Sequence, residues 1–135
     1  MRFMMIVKAN KDSEAGVMPT EAELLEMGKY NEDLVKAGVM LDGTGLHPTS
    51  RGFKIRYDGS NRAVVDGPFA GDNTIAGYWV IQTKTREEAI EWAKKVPFRE
   101  GELEVRQLFE LEDFVQGPAI DQHKELAAEL AAQRN

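Results

Sequence analysis

The fold is decided by the stretch Thr74-Ile75-Ala76-Gly77-Tyr78-Trp79-Val80. Successive side chains of a strand point to opposite faces of its sheet, and here both alternating sets are largely apolar. We therefore predict a strand over residues 75–83 that needs cover on both faces, which is the environment of a central strand. Residues 2–8 show the same double apolarity and predict a second central strand.

An amphipathic helix is predicted after each of these two strands. Thr20 and Glu23 have the spacing of a capping box at the start of the first helix, and Thr85 and Glu88 have it at the start of the second. Gly28 lies within the apolar stripe of the first helix, although glycine costs about 1 kcal/mol in a helix interior. It therefore predicts a close approach between this helix and the sheet.

The remaining segments complete an alternating order of strands and helices. They are a strand that starts at residues 39–41 and breaks at 43–48, a hairpin of 53–57 and 62–65, a last strand at 101–109, and a helix at 121–133. With the hairpin as an insertion, this order predicts an α+β fold of the ferredoxin-like split βαβ type. Lys54 and Arg56 alternate with apolar residues, so one face of the hairpin is predicted to be solvated. We predict one domain over residues 1–116 and a helical tail over 117–135.

The predicted topology has a consequence for assembly. Its first and third core strands lie in the middle of the sheet, in agreement with their double apolarity. Right-handed crossovers place both helices on one face of that sheet. The opposite apolar face is then bare, and bare apolar faces of a few hundred Å² mark interfaces. We expect a homodimer in which the two sheets pack face to face, as in a dimeric α+β barrel.

Composition excludes several classes of protein. The net charge of −6 and the pI near 5.0 argue against nucleic-acid binding, which needs clustered Lys and Arg. No apolar run approaches the roughly 18–20 residues of a membrane span. No signal peptide is evident, and the chain has no cysteine for a disulfide or a thiolate. Together these observations favour a cytoplasmic protein.

Several segments carry a resemblance to a known family. They are RFMMIV at 2–7, AGVM at 37–40, DGTGLHP at 42–48, DGPFA at 66–70, AGYWV at 76–80, EAIEWA at 88–93 and GELEVR at 101–106. The chain resembles the YCII-related family, in the branch named for its DGPF sequence, over about residues 1–112. The resemblance implies a ferredoxin-like dimeric α+β barrel. It implies no particular reaction, because the wider superfamily includes isomerases, dehalogenating enzymes and many members without an assigned reaction.

The resemblance also bears on catalysis. Short members of the family carry a His in the first helix, which is thought to work with an Asp as an acid/base pair. That position corresponds here to about Met27, and the first helix contains no His. Tyr30 is the nearest titratable side chain, and an ordinary pKa near 10 makes it a poor base. Tyr30 is therefore a candidate for substrate binding.

Asp66 and His47 are the two candidate catalytic residues. Asp66 is either a carboxylate at the mouth of a pocket or a turn residue that caps its own backbone amides. His47 has an ordinary pKa near 6.5, which suits an acid/base group, but a single loop His is also commonly a solvated side chain. Both interpretations stay open for both residues.

Three further residues are candidates for substrate binding. Phe69 and Tyr78 either line a pocket or belong to the core. Arg106 either binds a substrate carboxylate inside a barrel, in a bidentate manner, or forms an ion pair with a neighbouring Glu. No metal-ligand spacing and no complete phosphate-binding loop is present, so we expect neither a metal nor a cofactor.

Two hypotheses about function remain open. In the first, the dimer binds a small metabolite in a pocket of the barrel, without established catalysis. In the second, the protein is a small acid/base enzyme of the isomerase or lyase type that acts on a small organic acid. Asp66 or His47 would then transfer a proton while Arg106 holds the substrate carboxylate.

Overall fold

A computed structural model of the chain describes residues 1–70 and 73–134. The strands are β1 (Arg2–Lys8), β2 (Met40–Gly45), β3 (Phe53–Asp58), β4 (Asn61–Asp66), β5 (Ile75–Gln82) and β6 (Leu103–Gln107). The helices are α1 (Lys11–Glu14), α2 (Glu21–Lys36), α3 (Arg86–Lys94) and α4 (Pro118–Arg134), with short 3-10 turns at Thr49–Arg51 and Leu111–Asp113.

The main sheet is antiparallel, with the strand order β2-β5-β1-β6. Strands β3 and β4 form a separate two-stranded hairpin between β2 and β5. The two strands predicted to be central, β1 and β5, are the central ones. The prediction of an α+β ferredoxin-like fold with an inserted hairpin and a C-terminal helix is confirmed.

The core lies between the sheet and the helices α2 and α3. Its fully buried side chains are Met5 of β1, Leu34 of α2 and Ile81 of β5. The rest of the buried core is made of Phe3, Tyr30, Val39, Trp79, Ala89 and Val96. Because β1 and β5 contribute only alternate residues to this core, both helices cover the same face of the sheet.

One helix was not predicted, and two local predictions are wrong. Helix α1 lies between β1 and α2, where no element was predicted, and it begins with a capping box between Asn10 and Ser13. Strand β2 continues through Gly43 instead of breaking there, because Gly43 packs against the Trp79 ring: a Cβ at Gly43 would lie 2.9 Å from Trp79 Cδ1. Gly28 makes no close approach, since a Cβ there would have nothing within 4 Å.

The hairpin differs from its prediction as well. Lys54 and Arg56 lie on an exposed face as expected, but the opposite face is also open. Phe53 is 65% exposed and Tyr57 is 72% exposed on that second face. The reason is that β3 and β4 pair only with each other and are not part of the main sheet that holds the core.

Helix α4 follows the sheet and carries one buried residue, Ile120. Leu126 and Leu130 of this helix are each 49% exposed. The last residue of the predicted tail lies outside the described range. Among the described helices, none combines the length and the apolar character that crossing a bilayer demands.

Candidate functional site

The turn at residues 66–69 is bound to the segment that follows β2. The Gly67 N–H donates to the Gly52 carbonyl at 2.9 Å, and the Phe69 N–H donates to Thr49 Oγ1 at 2.9 Å. The Gly67–Pro68 peptide is cis, and Gly67 has no positive φ. A Cβ on Gly67 would lie only 1.8 Å from the Thr49 carbonyl oxygen. The turn therefore requires glycine because the two segments pack closely.

Thr49 joins three separate parts of the chain. Its N–H donates to Glu14 Oε1 at 3.1 Å, and its hydroxyl donates to Glu14 Oε2 at 2.5 Å. The same hydroxyl oxygen accepts the bond from Phe69. Helix α1, the Thr49–Arg51 turn and the turn at 66–69 are thus held together by hydrogen bonds to polar side chains.

Asp66 ends β4 and is exposed. Within the described residues its carboxylate accepts no hydrogen bond, so it is available to a ligand in the solvent. Phe69 is half-buried, and the Lys54 ammonium lies 4.3 Å from the centre of its ring. This cation–π contact fixes the ring against the hairpin.

His47 lies just before the Thr49–Arg51 turn and is exposed. Its ring contacts the Arg51 guanidinium, with 3.2 Å between His47 Nε2 and Arg51 Nη1. A guanidinium nitrogen can only donate, so a bond in this contact requires an unprotonated ring nitrogen as acceptor.

The structure brings two of the three predicted polar site residues to the same region. Asp66 precedes Gly67 and His47 precedes Thr49 by two residues, and Gly67 and Thr49 are in contact. Arg106 lies elsewhere, on β6, at the opposite edge of the sheet from β2. Three strand spacings of about 4.8 Å separate those edges by about 14 Å. Within the described residues, no hydrogen bond or ion pair joins Arg106 to Asp66 or His47.

The face of the sheet away from the helices has an apolar centre, which we call the open face. Its central side chains are Met4 and Ile6 of β1 and Tyr78 and Val80 of β5, which pair directly across the two strands. None of the four belongs to the buried core or packs against it. The predicted pocket residue Tyr78 therefore lies on the open face and not in the core.

Charged side chains surround the open face. Lys8 and Glu104 form an ion pair at 3.1 Å on its β6 side. Arg106 is the cross-strand neighbour of Met4 and shares this face, and it forms no ion pair with any described residue. The guanidinium of Arg106 is exposed and can bind an external carboxylate.

Tyr30 lies in the core, not at a surface. It is 4% exposed, and its hydroxyl donates to the Trp92 carbonyl at 2.8 Å. Its ring meets Trp79 edge-on, with 5.5 Å between ring centres. Burial raises the pKa of Tyr30 to about 12. In this arrangement Tyr30 is neutral and is occupied by packing, and its predicted role in substrate binding stays a prediction.

Sequence reasoning missed a cleft of about 300 Å³ between α3 and β6. It is lined by Phe3, Arg86, Ala89, Ile90, Ala93, Lys94, Leu103 and Val105. None of the predicted site residues borders it. The available signal was the pair Ala89 and Ala93, because two small residues on the inner side of a helix leave space above a sheet.

The family comparison agrees with the fold. The sequence model of the family described as the YCII-related domain matches residues 1–112. This range includes every strand of the main sheet and helices α1 to α3. No curated protein matches the chain.

Proposed function

The chain belongs to the YCII-related family. We propose that it acts as a homodimer that binds a small organic acid, as a binding protein and not as an enzyme. The two subunits pack through their open faces, and the ligand lies in the barrel that the two sheets enclose. The observation that supports this function is the open face itself, with an apolar centre and, at its border, an arginine that forms no ion pair with any described residue.

The apolar centre supports the dimer. Met4, Ile6, Tyr78 and Val80 are half-buried and form a continuous patch outside the buried core. At about 25 cal/mol per Å², burial of a few hundred Å² stabilises association by several kcal/mol before the cost of lost freedom is subtracted. An apolar centre with a charged border is also the usual composition of a protein interface.

Arg106 supports the class of ligand. In the described part of the chain it has no acidic partner, while its neighbour Glu104 is paired with Lys8. An arginine guanidinium binds a carboxylate with two parallel hydrogen bonds. The apolar side chains beside Arg106 contact the rest of a small organic acid.

A thermal-shift screen with small organic acids tests this proposal. We expect at least one acid to raise the melting temperature of the wild type and to fail with Arg106→Gln. Arg56→Gln is the matched control, because Arg56 is an exposed arginine on the hairpin, which is not part of the main sheet. Equal shifts in the wild type and in Arg106→Gln would contradict the assignment of Arg106.

A second candidate function is an acid/base enzyme of the isomerase or lyase type. The contact between Gly67 and Thr49 favours it, because it brings the segments of Asp66 and His47 together. Any acid that binds is then tested for turnover. If the wild type turns the acid over and Asp66→Asn abolishes turnover but still binds the acid, the protein is an enzyme. If the wild type binds the acid without turnover, the non-catalytic function is supported.

A further inference from the structure

We propose that the cleft between α3 and β6 is a second binding site, which takes a medium-chain carboxylate such as octanoate. Arg86 binds the carboxylate, and Ala89, Ile90, Leu103 and Val105 contact the hydrocarbon chain. The site goes beyond the proposed function, because it lies on the helix side of the sheet and shares no residue with the open face.

The shape of the cleft follows from side-chain size. Ala89 and Ala93 lie one turn apart on the side of α3 that faces β6, and alanine leaves the space between helix and strand unfilled. The strand contributes Leu103 and Val105, whose side chains point to the helix face while Glu104 points to the open face. Val105 remains 37% exposed because no other strand lies beyond β6.

The charges at the two ends of the cleft differ. Arg86 is exposed and makes no hydrogen bond or ion pair with a described residue. It lies in the first turn of α3 together with Glu87 and Glu88, at the end of the helix where the dipole favours an anion. Lys94, eight residues later, is 3.6 Å from Glu91 and its charge is partly compensated. Arg86 is therefore the end that binds an anion.

The volume and the lining define the ligand. The volume of the cleft, about 300 Å³, is at the lower limit for a small-molecule pocket. A water-sized group takes up roughly 30 Å³, so the cleft holds about ten such groups. The lining between Arg86 and Lys94 is entirely apolar. An eight-carbon monocarboxylate has this size, a single charge and an apolar body, whereas acetate lacks the body and octanol lacks the charge.

Calorimetry with octanoate, acetate and 1-octanol tests the site. We expect octanoate to bind and acetate not to bind, and octanol to bind at least tenfold more weakly than octanoate. Arg86→Gln should weaken octanoate about tenfold, and the matched control Lys94→Gln should weaken it less than threefold. Ala93→Phe fills the cleft and should abolish binding. If Ala93→Phe does not fold, Val105→Gln replaces it, since Val105 is partly exposed and its change to a polar residue should weaken octanoate at least tenfold.

Other results would overturn the assignment. No heat with millimolar octanoate at either of two temperatures excludes the site, because the heat-capacity change of apolar burial makes the binding enthalpy differ between them. Binding that neither Arg86→Gln nor the cleft variant changes excludes it as well. If Arg106→Gln abolishes octanoate binding and Arg86→Gln leaves it unchanged, octanoate binds at the open face and not in the cleft. If Arg106→Gln loses the small organic acid but still binds octanoate, the two sites are separate.

Discussion

At the scale of single residues, Gly67 has the closest surroundings of any glycine in the described part of the chain. A methyl group there would meet the Thr49 carbonyl oxygen at 1.8 Å, and Glu14 holds Thr49 in place. We predict that Gly67→Ala lowers the free energy of unfolding by about 3 kcal/mol, the upper range for overpacking.

Gly28 provides the control for this substitution. It lies inside α2 with open space around it, so Gly28→Ala should raise the free energy of unfolding by about 0.5–1 kcal/mol. Urea denaturation at one fixed protein concentration measures both variants. A Gly67→Ala protein as stable as the wild type would show that the two segments do not pack as described.

Tyr30, a core residue, makes the stability of the protein depend on pH in the alkaline range. Its pKa is near 10 in the unfolded chain and about 12 in the folded protein, so the folded state keeps a proton that the unfolded state loses. The contribution of Tyr30 to the free energy of unfolding is therefore complete below about pH 10. As the pH rises to about 12, the free energy of unfolding falls by up to about 3 kcal/mol. Tyr30→Phe should cost about 1 kcal/mol at pH 8, through the lost bond to Trp92.

Between pH 8 and pH 11, the free energy of unfolding should fall less in Tyr30→Phe than in the wild type. Denaturation curves at both pH values, measured for the two proteins, give this difference. Parallel losses in wild type and variant would mean that Tyr30 ionises as an exposed tyrosine does.

Individual site residues were only partly predictable. The sequence indicated Asp66 and His47 because their residue types suit proton transfer. It gave no sign that their loops meet, because the contact is made by hydrogen bonds of Gly67 to Gly52 and of Phe69 to Thr49, which no periodic pattern encodes. Tyr30 was judged by its distance along the helix from Met27, but the depth of the core determined its surroundings.

At the scale of secondary structure, the N-terminal caps of α2 and α3 differ in one bond. The Thr20 hydroxyl oxygen accepts from the Glu23 N–H, and the Glu23 carboxylate accepts from the Thr20 N–H. At α3 the Thr85 hydroxyl oxygen accepts from the Glu88 N–H, but the Glu88 carboxylate accepts from Lys84 instead. The capping box predicted for α3 is thus only half formed.

Both threonines should nevertheless contribute to stability through the bond that they accept. We predict a loss of about 1 kcal/mol for Thr20→Ala and for Thr85→Ala. Serine keeps the hydroxyl, so Thr20→Ser and Thr85→Ser should stay within about 0.5 kcal/mol of the wild type. Chemical denaturation decides this, and equal effects of alanine and serine would refute the capping role.

Elements were predictable where one physical pattern dominates. Double apolarity identified the central strands β1 and β5, and capping residues identified the starts of α2 and α3. The hairpin was harder, because the alternation of Lys54 and Arg56 with apolar residues predicts a covered face. The structure leaves Phe53 and Tyr57 of that face exposed.

At the scale of the whole molecule, the topology followed from the sequence, whereas the α3–β6 cleft did not. The order of strands and helices admits few right-handed arrangements, and the central position of the doubly apolar strands selects one of them. The cleft depends on the separation of α3 from β6, which periodicity does not encode. Only the small size of Ala89 and Ala93 hints at it.

We expect two copies of this chain to associate through the open face. Sedimentation equilibrium at micromolar concentration should then give twice the chain mass of 15.1 kDa. Val80→Glu places a charge at the apolar centre and should give the monomer mass, whereas Val35→Glu, at an exposed position on α2, should leave the dimer intact. A wild-type protein that sediments at 15.1 kDa, or a Val80→Glu protein that remains dimeric, would contradict this expectation.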